Sequence, residues 1–268
     1  MPIIIAAVCT DRNDTNDKQM ILIDSIATFG KYLILMKRVF ARPDRGRMFF
    51  KQYIREASQL GISSIPIVLI ISFFIGAVIC IQMKLNVESA WMPKFVTGYA
   101  TREIMLLEFS SSIMCLILSG KVGSNITSEI GAMRVTQQID ALEIMGVNSA
   151  NYLIFPKIVA LVSTIPILVI FSIFAGIMGA YGISIFTGIM TPADLTYGLQ
   201  YEFSQWYIWC SIIKSFFFAF IITSVASFYG YTVEGGSIEV GKASTNAVVS
   251  CSVLILFADI VLTQLLMQ

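Results

Sequence analysis

Long runs of apolar residues divide the chain into segments of membrane length. A helix needs about 20 mostly apolar residues to cross a bilayer. Four segments meet this requirement clearly: Ser64 to Met83, Ile158 to Ile185, Trp206 to Tyr229, and Ala247 to Met267. A fifth, from Phe95 to Ser119, is weaker because it carries charged residues, Glu108 among them. The pattern therefore predicts an all-α integral membrane protein with about five transmembrane helices.

Ahead of the first span, apolar residues recur at intervals of three and four, which is one stripe of a helix. The stripe consists of Ile26, Phe29, Leu33, Met36 and Phe40, whereas Lys31, Lys37 and Arg38 lie off it. A basic amphipathic helix of this kind is typical of the cytoplasmic membrane interface. The alternative is a soluble helix packed on a partner. We accordingly divide the chain into residues 1–62, a polar tail with interfacial amphipathic helices, and a transmembrane domain of residues 63–268.

Basic residues are concentrated at the start of the chain, and such residues favour cytoplasmic loops. Ten of the 18 precede Glu56: Arg12, Lys18, Lys31, Lys37, Arg38, Arg42, Arg45, Arg47, Lys51 and Arg55. With this region inside, five spans put residues 120–157 inside, residues 187–205 outside and the loop at Gly235 inside. A re-entrant first hairpin in place of the first span remains an alternative.

The composition is that of a membrane protein and argues against metal-dependent and triad-based catalysis. Hydrophobic residues make up 56% of the chain and charged residues only 13%, against roughly a quarter charged in soluble domains. The chain has no histidine, which removes the commonest metal ligand and the usual base of a nucleophilic triad. Its five cysteines include no Cys-x-x-Cys pair. The net charge of +1 gives no information about partners, and we expect no nucleic-acid partner. We predict no catalytic residues, no cofactor-binding residues and no metal site on this chain.

Residues 235–244, GGSIEVGKAS, approach the spacing of a phosphate-binding loop. Such a loop needs a serine or threonine after its lysine, because that hydroxyl ligates magnesium, and here Ala243 follows Lys242. The stretch also lies between two apolar segments, where the strand and helix of an α/β sheet are missing. It therefore predicts a short glycine-rich loop between membrane helices.

The longest polar interruption, residues 120–158, contains a second amphipathic pattern. Val135, Ile139, Leu142 and Met145 share one helical face, and a polar face opposes it; the polar face consists of Glu129, Thr136, Asp140 and Glu143. Gly146 and Asn148 provide a stop signal. The pattern predicts a helix on the cytoplasmic side, and an ordinary loop helix is the alternative.

Three motifs in this segment carry a resemblance. They are Gly120-Lys121-Val122-Gly123-Ser124, Glu129-Ile130-Gly131-Ala132-Met133 and Gln137-Gln138-Ile139-Asp140-Ala141-Leu142, followed by Glu143, Met145, Gly146 and Pro156. With them the chain, from about Arg55 to its end, resembles the MlaE/YrbE family of lipid-transporter permeases. Lys121 and Gln137 depart from the commonest family residues but keep polarity.

The resemblance implies that the amphipathic helix is a coupling helix within residues 120–152, which docks into a separate ABC ATPase present in two copies. ATP and magnesium would then be bound by that partner and hydrolysed there, and this chain would be a transport subunit. The implied coupling residues are Glu129, Arg134, Gln138, Asp140, Ala141, Leu142, Glu143 and Gly146. Further implied partners are a second copy of the chain, a periplasmic MCE-domain lipid-binding protein, a STAS-domain protein, and phospholipid.

The resemblance also implies a place and a task. The chain would be a multi-pass protein of the bacterial inner membrane with a cytoplasmic N-terminus. It would move phospholipid between inner and outer membrane and so maintain outer-membrane lipid asymmetry.

Three ionisable residues fall within the predicted spans, namely Glu108, Lys214 and Asp259. Charges at membrane depth are costly and are functional candidates by default. The resemblance implies that these three residues and Arg55 align with charged family positions near the lipid pathway or the interfacial helix. Around Glu108, family members commonly have Arg-Glu-Leu-Gly-Pro, and this chain keeps only the glutamate of that pattern. Mutual neutralisation that only holds the bundle together is an alternative. Two alternatives to an ATP-driven lipid permease stay open. One is a gradient-driven secondary transporter or ion channel that uses Glu108, Lys214 and Asp259. The other is a non-transporting membrane anchor for an ATPase.

Overall fold

The computed structural model describes residues 15–40, 46–87, 93–188 and 190–267. All regular structure in these ranges is helical. Five of the helices are long and apolar enough to cross a membrane, which confirms the predicted fold class. Residues 1–14 of the predicted polar tail, and Arg42 and Arg45 of the basic run, lie outside the described residues.

We number eight helices in the described ranges. Helix α1 is Thr15–Val39. Helix α2 comprises Gly46–Glu56, a π-helical turn Ala57–Gly61, a 3₁₀ turn Ile62–Ser64 and Ile65–Val87. Helix α3 comprises Val96–Ile104, the π-helical segment Met105–Ile113, Met114–Leu118, the π-helical turn Ser119–Gly123 and Ser124–Val135. The others are α4 (Gln138–Ile144), α5 (Ser149–Thr187), α6 (Pro192–Gln200), α7 (Gln205–Tyr231) and α8 (Ser237–Leu266).

The five candidate spans are α2, α3, α5, α7 and α8. The last part of α2 alone, Ile65–Val87, has 23 residues and is therefore about 35 Å long, enough to cross the hydrocarbon core. This length favours the spanning alternative over a re-entrant first hairpin. The predicted domain division at residue 62 falls inside α2 and stays a prediction.

Helices α2 and α5 pack closely against each other through small residues. A Cβ atom added at Gly76 would lie 2.0 Å from the carbonyl oxygen of Gly176, and one added at Gly179 would lie 1.9 Å from that of Phe73. The Ser72 and Ser172 hydroxyls are 2.8 Å apart across the same contact. Glycine is therefore required here for close approach of the two backbones, as is common between membrane helices.

The two ends of the bundle are distinct. At one end, which we call the α4 end, lie α1, α4 and the turn at Gly235. At the other, the α6 end, α6 packs on the start of α3. There Arg102, which is 2% exposed, donates hydrogen bonds to the carbonyl oxygens of Leu199 and Tyr201 at 2.8 Å each. These bonds tie the connection between α6 and α7 to α3.

Helix α1 lies against the bundle with a face other than the predicted stripe. Leu35, Met36 and Val39 are buried, whereas Phe29 and Leu33 are more than half exposed. Of the stripe, Met36 is buried and Phe40 is also exposed; the side chain of Ile26 lies outside the described residues. The helix is thus apolar on more than one side, because it packs on α7 and α5 while it presents a further apolar face outward.

The expectation of a glycine-rich loop over residues 235–244 is wrong for most of its length. Gly235, with a φ of +112°, and Gly236 form the turn, and α8 begins at Ser237. Gly241 lies inside the helix with no neighbour within 4 Å of an added Cβ, so it costs only about 1 kcal/mol relative to alanine. Buried Val240 keeps this first part of α8 against α3, and tertiary packing outweighs that cost.

Candidate functional site

Helix α4 is a short element at the end of the bundle, and it is separate from α3. The predicted single helix is broken at Gln137, whose φ of 59° is left-handed, so Val135 belongs to α3 and not to the apolar face of α4. At its other end, Gly146 has a φ of 75°. The backbone amides of Gly146 and Val147 donate hydrogen bonds to the backbone carbonyl oxygens of Glu143 and Leu142, respectively. This pair of bonds is typical of a helix that ends at a left-handed glycine. Both turns fix where α4 projects.

The apolar residues of α4 divide differently from the prediction. Ile139 is fully buried and Leu142 is partly buried, so these two anchor the helix. Met145 was predicted on the same face but is 67% exposed, and Ile144 is 87% exposed. The reason is that α4 ends at Ile144, so Met145 begins the turn. The tip of α4 therefore presents Ile144 and Met145, together with the exposed residues Gln138 and Ala141.

The charged coupling candidates are held within the chain. Arg134, near the end of α3, forms an ion pair with Asp140 of α4 across the break at Gln137. The Glu143 carboxylate accepts hydrogen bonds from the Ser149 hydroxyl at 2.9 Å and from the Tyr231 hydroxyl at 3.0 Å. Ser149 begins α5 and Tyr231 ends α7. Helix α4 is thus fastened to three of the long helices, α3, α5 and α7.

The same contacts set the ionisation of Glu143. The hydrogen bonds from Ser149 and then from Tyr231 lower the pKa of this carboxyl, and Arg134 adds a smaller electrostatic contribution in the same direction. Glu143 is therefore a carboxylate at neutral pH, which is the form that accepts both bonds.

Glu129 lies away from α4, which corrects its predicted place on the polar face of that helix. It belongs to α3, where its carboxylate is 2.7 Å from the Lys157 ammonium. Lys157 lies on α5, is 2% exposed, and is also 2.7 Å from the buried carboxylate of Glu56 on α2. We call Glu56, Glu129 and Lys157 the inner ion cluster. Sequence analysis missed it because Lys157 was assigned to the cytoplasmic segment, whereas α5 already begins at Ser149.

The three charges predicted within the spans come together in the structure. The Lys214 ammonium on α7 is 3.0 Å from the carboxylate of Asp259 on α8 and 3.9 Å from that of Glu108 on α3. We call these residues the membrane ion cluster. Lys214 and Asp259 have side chains that are 2% and 14% exposed, but that of Glu108 is 47% exposed. Lys214 pairs with both acids, and one carboxylate reaches the surface of the bundle.

The backbone of α3 contributes to this cluster. Glu108 lies in the π-helical segment Met105–Ile113, and such segments often mark functional sites. The carbonyl oxygen of Leu107 accepts a hydrogen bond from Lys214 at 3.1 Å, and that of Leu106 accepts one from the Ser211 hydroxyl. Side chains of α7 thus supply donors to carbonyl groups in the irregular part of α3.

Arg55 lies apart from the membrane ion cluster. It is exposed at the end of the first α-helical part of α2, next to Glu56 of the inner ion cluster. In the described ranges, no group of three or more histidine, cysteine, aspartate or glutamate side chains is placed to hold a metal ion.

Comparison with known proteins identifies the family of this chain. The model of the family described as Permease MlaE matches residues 53–265. A probable ABC transporter permease protein of Rickettsia bellii is 32% identical over 89% of this chain and 92% of its own length. A probable ABC transporter permease protein of Synechocystis is 29% identical over 87% of this chain and 89% of its own length.

A plant relative extends the comparison. The chloroplastic protein TRIGALACTOSYLDIACYLGLYCEROL 1 of Arabidopsis thaliana is 28% identical over 88% of this chain and 67% of its own length. Because the family model covers most of the chain and the Rickettsia bellii relative is matched nearly end to end, the chain belongs to the MlaE permease family and is a permease subunit of an ABC-type transporter.

Proposed function

We propose that the chain is the membrane subunit of an ATP-driven transporter that moves phospholipid between the inner and outer membranes and so maintains outer-membrane lipid asymmetry. The observation that carries the coupling part of this proposal is the attachment of α4. Its tip is exposed, while Glu143 fastens it to the beginning of α5 and the end of α7. A force on the tip therefore reaches two spanning helices directly.

The tip of α4 is the proposed contact with the ATPase. Ile144 and Met145 are the apolar centre of this surface, and Gln138 and Ala141 complete it. Asp140, Glu143, Arg134 and Leu142 support α4 from within the chain, and Gly146 ends it. ATP and magnesium would be bound by two copies of the partner, and hydrolysis would occur there.

The lipid part of the proposal has two sources of support. The name of the Arabidopsis relative contains that of a galactolipid. The half-exposed carboxylate of Glu108 is the second source, because a charge that faced hydrocarbon at membrane depth would be costly. Coverage by a second copy of the chain, with a polar cavity between the copies, removes this cost. We therefore propose a homodimer with the membrane ion cluster beside its lipid pathway.

The proposed orientation puts the α4 end and the N-terminus in the cytoplasm, in the inner membrane of a bacterium. Basic residues near the α4 end support it, because Lys31, Lys37 and Arg38 are exposed on α1. The α6 end would then face a periplasmic MCE-domain lipid-binding protein. A STAS-domain protein on the cytoplasmic side completes the proposed set of partners.

Contact with the ATPase is tested by co-purification from native membranes. Ile144→Asp should reduce recovery of the ATPase by roughly tenfold, the equivalent of about 1.4 kcal/mol, because it places a charge at the centre of the apolar tip. Phe186→Asp is the matched control, since Phe186 is 92% exposed near the opposite end of α5. Equal recovery from the two variants would contradict docking at α4.

Transport is tested in proteoliposomes with fluorescent phospholipid and the co-purified ATPase. We expect lipid movement that requires ATP, and Asp259→Asn should reduce it while the complex still assembles. Movement driven by a proton gradient without ATP would instead support a secondary transporter or channel based on Glu108, Lys214 and Asp259. Assembly with no lipid movement under any condition would support an ATPase anchor.

A further inference from the structure

A polar cavity lies at the α4 end, away from the membrane ion cluster. Its volume is about 390 Å³. Lys31 of α1, Arg134 of α3, and Tyr229 and Tyr231 of α7 line it, together with Glu234 in the turn that follows α7. Four parts of the fold that are distant in sequence, α1, α3, α7 and the turn after α7, thus contribute charged or aromatic side chains to one cavity.

The charges around this cavity do not neutralise one another. Among the side chains that the structure describes, Lys31 has no carboxylate within 4.0 Å, and Glu234 has no ammonium or guanidinium within that distance. Arg134 has one ion-pair partner, Asp140, and a guanidinium has five N–H donors. The cavity therefore presents two cations and one anion with capacity for a ligand.

We propose that this cavity binds the zwitterionic head group of a phospholipid in the adjacent leaflet. The phosphate faces Lys31 and Arg134, because a phosphate accepts strong charge-assisted hydrogen bonds from such groups. The ammonium faces Glu234 and the tyrosine rings, since aromatic faces attract cations. The Arg134 guanidinium lies 6.0 Å from the centre of the Tyr231 ring, so the proposed positions of the phosphate and of the ammonium are adjacent.

Helix α1 offers a place for the acyl chains of the same lipid. Ile34 is one turn from Lys31 on the same face of α1 and is 60% exposed. A lipid whose phosphate contacts Lys31 can therefore extend along an apolar surface towards the hydrocarbon. A soluble phosphate compound gains nothing from this surface, which favours a lipid as the occupant.

The inference rests on the proposed phospholipid function, because the head group is that of the lipid the chain would move. Its test is binding without the ATPase, so that failed transport and failed binding are separate results. The purified chain is titrated with short-chain phosphatidylethanolamine or phosphatidylglycerol, and bound lipid is counted by native mass spectrometry. We expect preferential binding of phosphatidylethanolamine, whose head group carries the ammonium.

Two substitutions and a control locate the site. Lys31→Gln should weaken binding about fivefold, the equivalent of about 1 kcal/mol for one lysine near a membrane surface. Glu234→Gln should remove the preference for phosphatidylethanolamine. Lys37→Gln should leave binding unchanged, because Lys37 is exposed on another face of α1 and does not line the cavity.

Three results would overturn the proposal. One is equal binding by the Lys31→Gln and Lys37→Gln variants. Another is a lipid preference that Glu234→Gln leaves intact. The third is full displacement of the lipid by free phosphoethanolamine at the lipid's own concentration, which would identify a soluble ligand as the occupant.

Discussion

Replacement of Lys157 by methionine should destabilise the bundle severely, because Lys157 is the one cation of the inner ion cluster. Lys157 is 2% exposed, and its ammonium lies 2.7 Å from the carboxylates of both Glu56 and Glu129. Methionine preserves the apolar stem but leaves two carboxylates facing each other. Glu56 is 9% exposed, so its charge would remain buried and uncompensated.

The magnitude follows from the burial of each partner. Removal of one member of a buried ion pair costs about 3–5 kcal/mol. The side chain of Glu129 is 38% exposed, so water stabilises it and we place the loss near the lower value. At about 2–4 °C per kcal/mol for a chain of this size, the melting temperature should fall by roughly 10 °C. Glu129→Gln should lower it far less, because Lys157 keeps its buried partner Glu56.

The assay is thermal unfolding in lipid nanodiscs, followed by size-exclusion chromatography of the folded fraction. The double variant Lys157→Met, Glu56→Met is the decisive control, since replacement of both buried charges by apolar groups is often nearly neutral. It should recover most of the lost stability. A single Lys157→Met variant as stable as the wild type, or a double variant as unstable as the single, would refute this account of the cluster.

Three further predictions concern packing, pH and the α6 end. Gly179→Ala should reduce the folded yield sharply because its Cβ would overlap the carbonyl group of Phe73, whereas Gly182→Ala, whose Cβ would lie 3.4 Å from the Phe73 ring, should be nearly neutral by the same chromatography. Hydrogen bonds lower the pKa of Glu143, so this residue anchors α4 fully above the ordinary glutamate pKa of about 4.3, and the anchoring is lost as the pH falls through the lowered pKa. Hydrogen exchange of the α4 amides, corrected for intrinsic rates, should therefore rise as the pH falls through that lowered pKa. The Glu143→Gln variant should lack this rise. Arg102→Gln should expose the connection between α6 and α7 to protease, because it removes the donors to the carbonyl groups of Leu199 and Tyr201, and unchanged cleavage rates would contradict that role.

The spans could be predicted from sequence because membrane helices must satisfy their backbone internally and be apolar throughout. This constraint acts on each segment separately, so hydropathy identified all five. The starts of α5 and α8 were placed too late for the same reason. The first turns of these helices, such as Ser237 to Val240, are too polar to be recognised as part of a span. They are helical because of tertiary packing: the start of α8 packs against α3, and Phe155 near the start of α5 packs on Phe49 of α2.

Contacts between residues distant in sequence were harder to predict from the sequence. Glu108, Lys214 and Asp259 were identified because a charge in an apolar segment is conspicuous by itself. The inner ion cluster was not recognisable in this way. Glu56 and Lys157 are 101 residues apart, and each lies in a polar stretch next to a predicted span. The tip of α4 was misplaced by a different cause. The left-handed turn at Gln137 shifts the helical register, and no glycine or proline marks that turn in the sequence.

Helix α7 is the most direct mechanical link between the tip of α4 and the membrane ion cluster. Tyr231 at one of its ends holds Glu143, and Lys214 lies 17 residues earlier, about 25 Å along the axis. Regular α-helix connects the two. Helix α3 also joins the two regions, through Arg134 and Glu108, but two π-helical segments interrupt it at Met105–Ile113 and Ser119–Gly123. Since α7 transmits displacement as a rigid rod and α3 has points where its hydrogen bonding can rearrange, a movement of α4 should shift Lys214 relative to Glu108. The contact of 3.9 Å between these two side chains, already the longer of the two in the cluster, is therefore the one that we expect to open and close during transport.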